Sequence, residues 1–240
     1  MGPEPITRDG QNVALVHERL RAAILGGDIP PGEATSQIVL SQELGVGRTP
    51  LREALRMLQN EGLVISEPNR RVRIAELSAV DLEELYTMRI SLETVAVRIT
   101  VPQLSAEDHA EIEGLMAQMD HLAETGSPKL CPTHRTFHCR FVSGAGERPT
   151  EMMCQLFDHA ERYRRIYERR DPEKWAKRRP EHRAIIDAAK AGDGDAAADA
   201  LAIHYVRTAL SVVRVLDPNY SLDHLRTTVA AVAPGALGEF

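Results

Sequence analysis

The stretch Leu40–Leu63, LSQELGVGRTPLREALRMLQNEGL, constrains this chain more than any other. Two helical patterns flank a short turn. At 100° per residue, Leu51, Ala54, Leu55 and Leu58 share one arc of about 100°, and Arg48, Thr49, Arg52 and Arg56 share another. The leucine arc finds a partner in Leu40 and Leu44, one turn apart on the preceding helix. Gly45 suits the turn because a positive φ costs glycine little. Pro50 falls in the first turn of the second helix, where its missing N–H is not needed. Gly47 stands at the N-cap, where it serves slightly less well than serine. The spacing predicts a helix-turn-helix whose arginines lie on the face not needed for packing, the layout of a DNA reader. Alone, Arg48, Arg52 and Arg56 would equally suit a solvated basic face.

The next residues add a wing. Leu63-Val64-Ile65 is a short apolar run, Glu67-Pro68-Asn69-Arg70 carries turn chemistry, and Val72-Arg73-Ile74 alternates in period 2. This predicts two strands with Arg70 and Arg71 at their tip, near the backbone or minor groove of a bound duplex. The net charge of −6 runs against a DNA binder, but Gly47–Arg73 holds six Arg against three Glu. The basic character is local, and it is the local patch that would steer.

Past Glu76-Leu77-Ser78 the pattern is helical throughout. Ser78-x-x-Asp81 and Ser105-x-x-Asp108 are start signals of the capping-box type. Pro102, Gly126-Ser127-Pro128, Gly144-Ala145-Gly146, Asp171-Pro172 and Gly192-Asp193-Gly194 separate the helices. The expected fold is mainly α: a winged helix-turn-helix over 13–76 and an antiparallel all-α bundle over 77–217. Residues 1–12 and 218–240 lack strong periodicity and read as tails. No apolar run of about eighteen residues predicts a membrane span, and no signal peptide opens the sequence. Cys131, Cys139 and Cys154 are odd in number and form no CxxC, which favours a reducing cytoplasm.

Histidines supply the second constellation. His134 and His138 are four apart and share a helix face, while His182 and His204 fall on later helices. Imidazoles converging from three helices of a bundle make a divalent-metal site. A single i,i+4 pair also arises without a metal. His17, His109, His121, His159 and His224 stand outside the pattern. Arg162, Arg164, Arg165, Arg169 and Arg170 form a basic run that reads as a solvated face. HExxH is absent, since the pair reads His134-Arg135-Thr136-Phe137-His138. A metal hydrolase or isomerase would then have only Glu181 as a base, about 100° away from His182 on its helix.

The segments VHERLRAAILGGDIPPGE, LGVGRTPLREALRMLQNEGLV and PNRRVRIAEL resemble the winged-helix domain of the GntR superfamily of bacterial transcription regulators. By that resemblance Arg48, Thr49, Arg52 and Arg56 are the recognition contacts. Gly47 and Arg71 depart from it, since the family usually has serine and a wing-tip glycine there. HRTFHCRFV and PEHRAIIDAAKAGDGDAAADALAIH resemble the FCD effector domain of the FadR-like branch. Many members of that branch hold Zn²⁺ or Ni²⁺ through one aspartate and three histidines. The resemblance puts the three histidines at His138, His182 and His204, and His134 in place of the aspartate. Four imidazoles would favour Zn²⁺, Ni²⁺ or Cu²⁺ over Mn²⁺; alternatively His134 does not ligate. Arg89, in MRISLE, matches an arginine facing the effector cavity, although Glu93 offers it an i,i+4 ion pair. The resemblance implies a homodimeric repressor of a palindromic operator, released by a small organic acid. The founder of the branch, which binds fatty acyl-CoA, lacks the metal, so a metal-free acid-responsive regulator stays open.

Overall fold

The computed structural model describes residues 11–67, 71–168 and 174–240. The chain divides into two compact units, residues 1–77 and 78–240. The wing-tip residues 68–70, with Arg70 among them, lie outside the described residues, as do residues 1–10 of the expected N-terminal tail, Arg169 and Arg170.

The first unit runs α1 (Gln11–Gly26), β1 (Ala34–Ser36), α2 (Gln37–Leu44), α3 (Arg48–Asn60), β2 (Val64–Glu67) and β3 (Arg71–Ile74). Ser36 caps α2 by accepting from the Val39 N–H, and Gly45 ends it at φ 64°. Gly47 caps α3 with no side-chain hydrogen bond. Leu51, Ala54 and Leu58 are fully buried and Leu55 nearly so, in a core with Val16, Leu20 and Ile24 of α1 and Leu40 of α2. Each buried leucine contributes roughly 2 kcal/mol. The wing is larger than expected: β1 pairs antiparallel with β3 on the side opposite β2, giving three strands in the order β1-β3-β2. Ala34-Thr35-Ser36 has no apolar alternation to announce a strand. The free edge of β3 orders it, through the register Ala34↔Arg73 to Ser36↔Arg71.

The second unit contains α4 (Ala79–Thr100), α5 (Ala106–Glu124), α6 (Leu130–Arg140), α7 (Glu147–Glu168), α8 (Lys174–Lys190), α9 (Gly194–Leu216) and α10 (Asp223–Val232). Helix α4 packs against α7, α9 and α10; α8 lies on α9, and α5 on α6 and α8. Ser78 caps α4 through the Asp81 N–H, and Ser105 with Asp108 forms a full capping box on α5. Phe137 and Phe141 of α6 are fully buried.

The segment 218–240 is not a loose tail. It carries α10 and a 3-10 turn, Pro234–Glu239, and buries Leu225, Val229 and Ala236 completely. Its order comes from a distant residue. The Glu83 carboxylate on α4 accepts from the backbone N–H groups of His224 (2.7 Å) and Leu225 (3.1 Å) and from the Tyr220 hydroxyl (2.7 Å). Gly235 is obligatory in this packing, since a Cβ there would lie 2.2 Å from an Asp199 carboxylate oxygen.

The cysteines also depart from expectation. Cys139 and Cys154 are joined by a disulfide between α6 and α7, and Cys131 is free. Spacing alone offered no pairing. Among the described residues no helix is long and apolar enough to cross a membrane.

Candidate functional site

Two faces carry chemistry, one in each unit. In the first, packing of the leucine arc turns the opposite side of α3 outward. Arg48, Thr49, Arg52 and Arg56 are all exposed. Arg52 approaches only its neighbour Glu53, at 3.5 Å, a surface pair that holds it weakly. Arg71 is exposed at the start of β3, and Arg73 is engaged across the wing by Glu67 at 2.7 Å.

In the second unit His134 and His138 of α6, His182 of α8 and His204 of α9 converge. All four are buried, and one nitrogen of each lies within 4.8 Å of the others. His134 Nε2 is 2.9 Å from His138 Nε2 and 3.0 Å from His182 Nε2. The outward nitrogens explain this orientation. His182 Nδ1–H donates to the Arg178 carbonyl at 3.0 Å. His204 Nδ1–H donates to the Glu181 carboxylate at 2.8 Å. His138 Nδ1 meets the Tyr205 hydroxyl at 3.3 Å, and that hydroxyl is spent as a donor on Glu93 at 2.6 Å. Three rings are thus fixed with Nε2 as a bare lone pair pointing inward, which is how outer partners orient metal-bound histidines. Burial lowers all four imidazoles, His134 to about 4, so all four are neutral at pH 7. The donor set fits a divalent cation of imidazole preference.

His134 differs from the other three. Its Nδ1 is buried and makes no hydrogen bond among the described residues. The Glu161 carboxylate that faces it stands 3.5 Å away. Its tautomer is therefore not fixed, whereas those of His138, His182 and His204 are.

Family comparison follows the same division. Residues 13–74 match the gntR family of bacterial regulatory proteins, and residues 84–207 match the FCD domain. The chain belongs to the GntR family, in its FCD-bearing branch. It is 24% identical over 203 residues to the uncharacterized HTH-type transcriptional regulator YdhC of Bacillus subtilis, covering 84% of this chain and 91% of YdhC. It is 30% identical over 157 residues to the HTH-type transcriptional repressor GlaR of Escherichia coli, covering 63% of this chain and 71% of GlaR. Among solved structures it shares its fold with E. coli McbR/YncC at a TM-score of 0.72 and 23% identity, over 88% of this chain and 99% of that one. The GntR and FCD assignments make the protein a transcription regulator and not an enzyme.

In this GntR regulator a narrow cavity adjoins the histidines, lined by Tyr86, Arg89, Phe157, Glu161, Arg164 and Tyr205 among others. Arg89 is both things its sequence context allowed. It lines the cavity, and it is ion-paired with Glu93 at 2.7 Å. It also donates to the Tyr205 hydroxyl at 2.5 Å and lies 4.0 Å from the Tyr205 ring centroid. Burial works against its charge, but Glu93 outweighs burial and keeps the guanidinium protonated.

The basic run on α7 is a correction. Arg162 is buried, and Arg164 turns into the cavity, pairs with both carboxylate oxygens of Glu161 and reaches the Cys131 sulfur at 3.3 Å. Glu161-x-x-Arg164 on a helix that also presents Phe157 and Ala160 inward was the readable signal for that pair. Glu181 is no general base. It is occupied by His204 and by Arg178 at 3.0 Å. Trp175 completes the surroundings, its ring centroid 5.3 Å from that of His182 and its N–H donated to Asp120 at 2.9 Å.

Proposed function

We propose that this regulator is a cytoplasmic homodimeric repressor that reads a palindromic operator and is released by a small carboxylate bound beside a metal in its helical unit. The observation that carries the reading is the pairing, in one chain, of an outward arginine ladder on α3 with an inward imidazole cluster in a separate unit. Arg48, Thr49, Arg52 and Arg56 would meet the major groove, and Arg70 and Arg71 the neighbouring backbone or minor groove. Met88, Leu92, Val95 and Ile99 support the dimer. They form one stripe on α4, and each is 41–49% exposed, an apolar row of the kind that a second copy covers in a two-fold interface.

His138, His182 and His204 are the core of the metal set, with His134 as the fourth member, and Zn²⁺ or Ni²⁺ suits them best. When bound, the cation would offer a Lewis-acidic anchor to a carboxylate. The chain's own residues do the rest. Arg89 and Arg164 present guanidinium groups to the cavity, and Glu93 and Glu161 already neutralise them. The cavity itself has a volume of about 10 Å³, room for roughly one water. An acid therefore enters by displacing Glu161 from Arg164 or Glu93 from Arg89. That exchange shifts α7 or α4, and it biases DNA binding only if the two arrangements differ in affinity for the acid.

The test is a gel-shift titration on DNA flanking the gene, with metal-loaded and chelated protein, against a panel of small carboxylates. Release by an acid only in the loaded protein supports the reading. Release by the same acid in both forms favours the metal-free alternative. No DNA binding in any state refutes it. Sedimentation of a Leu92→Asp/Val95→Asp variant tests the dimer, and an unaltered sedimentation coefficient would remove α4 from the interface.

A further inference from the structure

We propose that Cys139 and Cys154 form a reversible thiol–disulfide switch that sets how firmly the histidine cluster holds a cation. The inference rests on the metal reading above for its output, but not for the switch itself.

Three observations converge. The bond joins α6 to α7 with the Cα atoms 5.8 Å apart, a separation that a disulfide spans without backbone movement. It sits directly on the site. Cys139 follows His138 in sequence, and Cys154 lies one turn before Phe157, whose ring centroid is 5.2 Å from those of both His134 and His138. Two turns on from Cys154, Glu161 faces His134. His138, Cys139, Cys154, Phe157 and Glu93 line one narrow cleft. The bond therefore ties the helix that supplies two imidazoles to the helix that supplies their backing.

Helix α6 needs such a tie. It has 11 residues, its N-cap Lys129 makes no side-chain hydrogen bond, and Pro132 lies in its first turn. A helix this short is marginal by itself and depends on its packing. Its ion pair to α7, Arg135 with Asp158 at 2.6 Å, has an arginine that is 43% exposed, and such pairs hold weakly. Cutting the disulfide leaves His134 and His138 on the less firmly anchored side of the cluster, and a loosely supported set of ligands binds more weakly.

The chemistry balances with a peroxide as oxidant. The half-buried Cys139 thiolate attacks one peroxide oxygen and becomes a sulfenic acid as hydroxide leaves. The buried Cys154 thiol attacks that sulfur and expels the hydroxyl, which takes up a proton to leave as water. In sum, two thiols and one hydrogen peroxide give one disulfide and two waters, and two electrons pass from sulfur to oxygen. A dithiol reductant reverses it by exchange, ending as its own disulfide. In the cytoplasm proposed for the protein, disulfides are transient and redox-sensing rather than structural.

The experiment uses the untagged full chain, reduced with a dithiol and then either kept reduced or treated with hydrogen peroxide. Thiol titration should fall from three to one, Cys131 being the survivor. Zinc affinity, measured by competition with a chromophoric chelator, should be about tenfold tighter in the oxidised form. Cys154→Ser and, independently, Cys139→Ser should stay at the reduced affinity before and after peroxide, while Cys131→Ser keeps the full response. Three thiols remaining after peroxide, or one thiol with the same zinc affinity in both states, overturns the proposal. If neither state binds zinc, the metal reading fails separately, and amide exchange over residues 130–140 decides the switch. Slower exchange in the oxidised form supports it, and equal exchange overturns it.

Discussion

The Glu181 carboxylate lies 2.8 Å from His204 Nδ1, and both side chains are buried. The contact holds one imidazole in the tautomer that presents Nε2 to the cluster. Arg178 steadies the carboxylate in turn, and its other nitrogen is held by the Ser211 hydroxyl at 2.7 Å. Removing Glu181 leaves His204 free to turn or to change tautomer. Glu181→Ala should lower zinc affinity by about 10–100-fold, read by chelator competition, with the helical circular-dichroism signal retained. Unchanged affinity would take Glu181 out of the site.

The same histidines make stability depend on pH. Burial holds His134 at about 4 in the folded protein and lowers His138, His182 and His204 as well. In the unfolded chain each returns to about 6.5. Between these values the unfolded state binds more protons, so stability is full above about 6.5 and is lost as pH falls toward 4. His134 alone accounts for roughly 3 kcal/mol across that window. The melting temperature of chelated protein should fall between those pH values, and His134→Asn should flatten the slope. Parallel curves for the two proteins would contradict the assignment.

On α3, Arg52→Ala should cost roughly 1–3 kcal/mol of specific DNA binding and leave the melting temperature unchanged, because the side chain is 67% exposed and packs against nothing. Binding isotherms on the operator and on unrelated DNA separate the two effects. Equal losses on both would make Arg52 a phosphate contact and not a base reader.

Glu83 predicts the behaviour of the C-terminal segment. It satisfies two backbone donors at the start of α10, which no local side chain does. Glu83→Ala should cost about 1–3 kcal/mol and open residues 218–240 to limited proteolysis. A digestion pattern identical to that of the parent would show that apolar packing alone holds α10.

Legibility in the sequence followed the range of each interaction. Helix α3 was readable because its arcs, its Pro50 and its turn glycine all lie within one short stretch. His134 and His138 were readable as an i,i+4 pair, but only family resemblance linked them to His182 and His204, since contacts 48 residues apart leave no local pattern. The same holds for α10, whose cap Glu83 is 141 residues away, and for β1, which exists through the edge of β3. Arg164 was misread for a different reason. A run of arginines looks solvated until a buried partner is found, and Glu161 neutralises it from within the same helix. The Cys139–Cys154 bond could not be chosen from three cysteines by spacing alone.

The sequence holds a single tryptophan, and the fold sets that indole beside His182. Its fluorescence is therefore an intrinsic optical reporter of the cluster. Paramagnetic Ni²⁺ or Cu²⁺ entering there would darken the emission, whereas closed-shell Zn²⁺ would leave it bright, so one unlabelled titration sorts the ions by electronic structure.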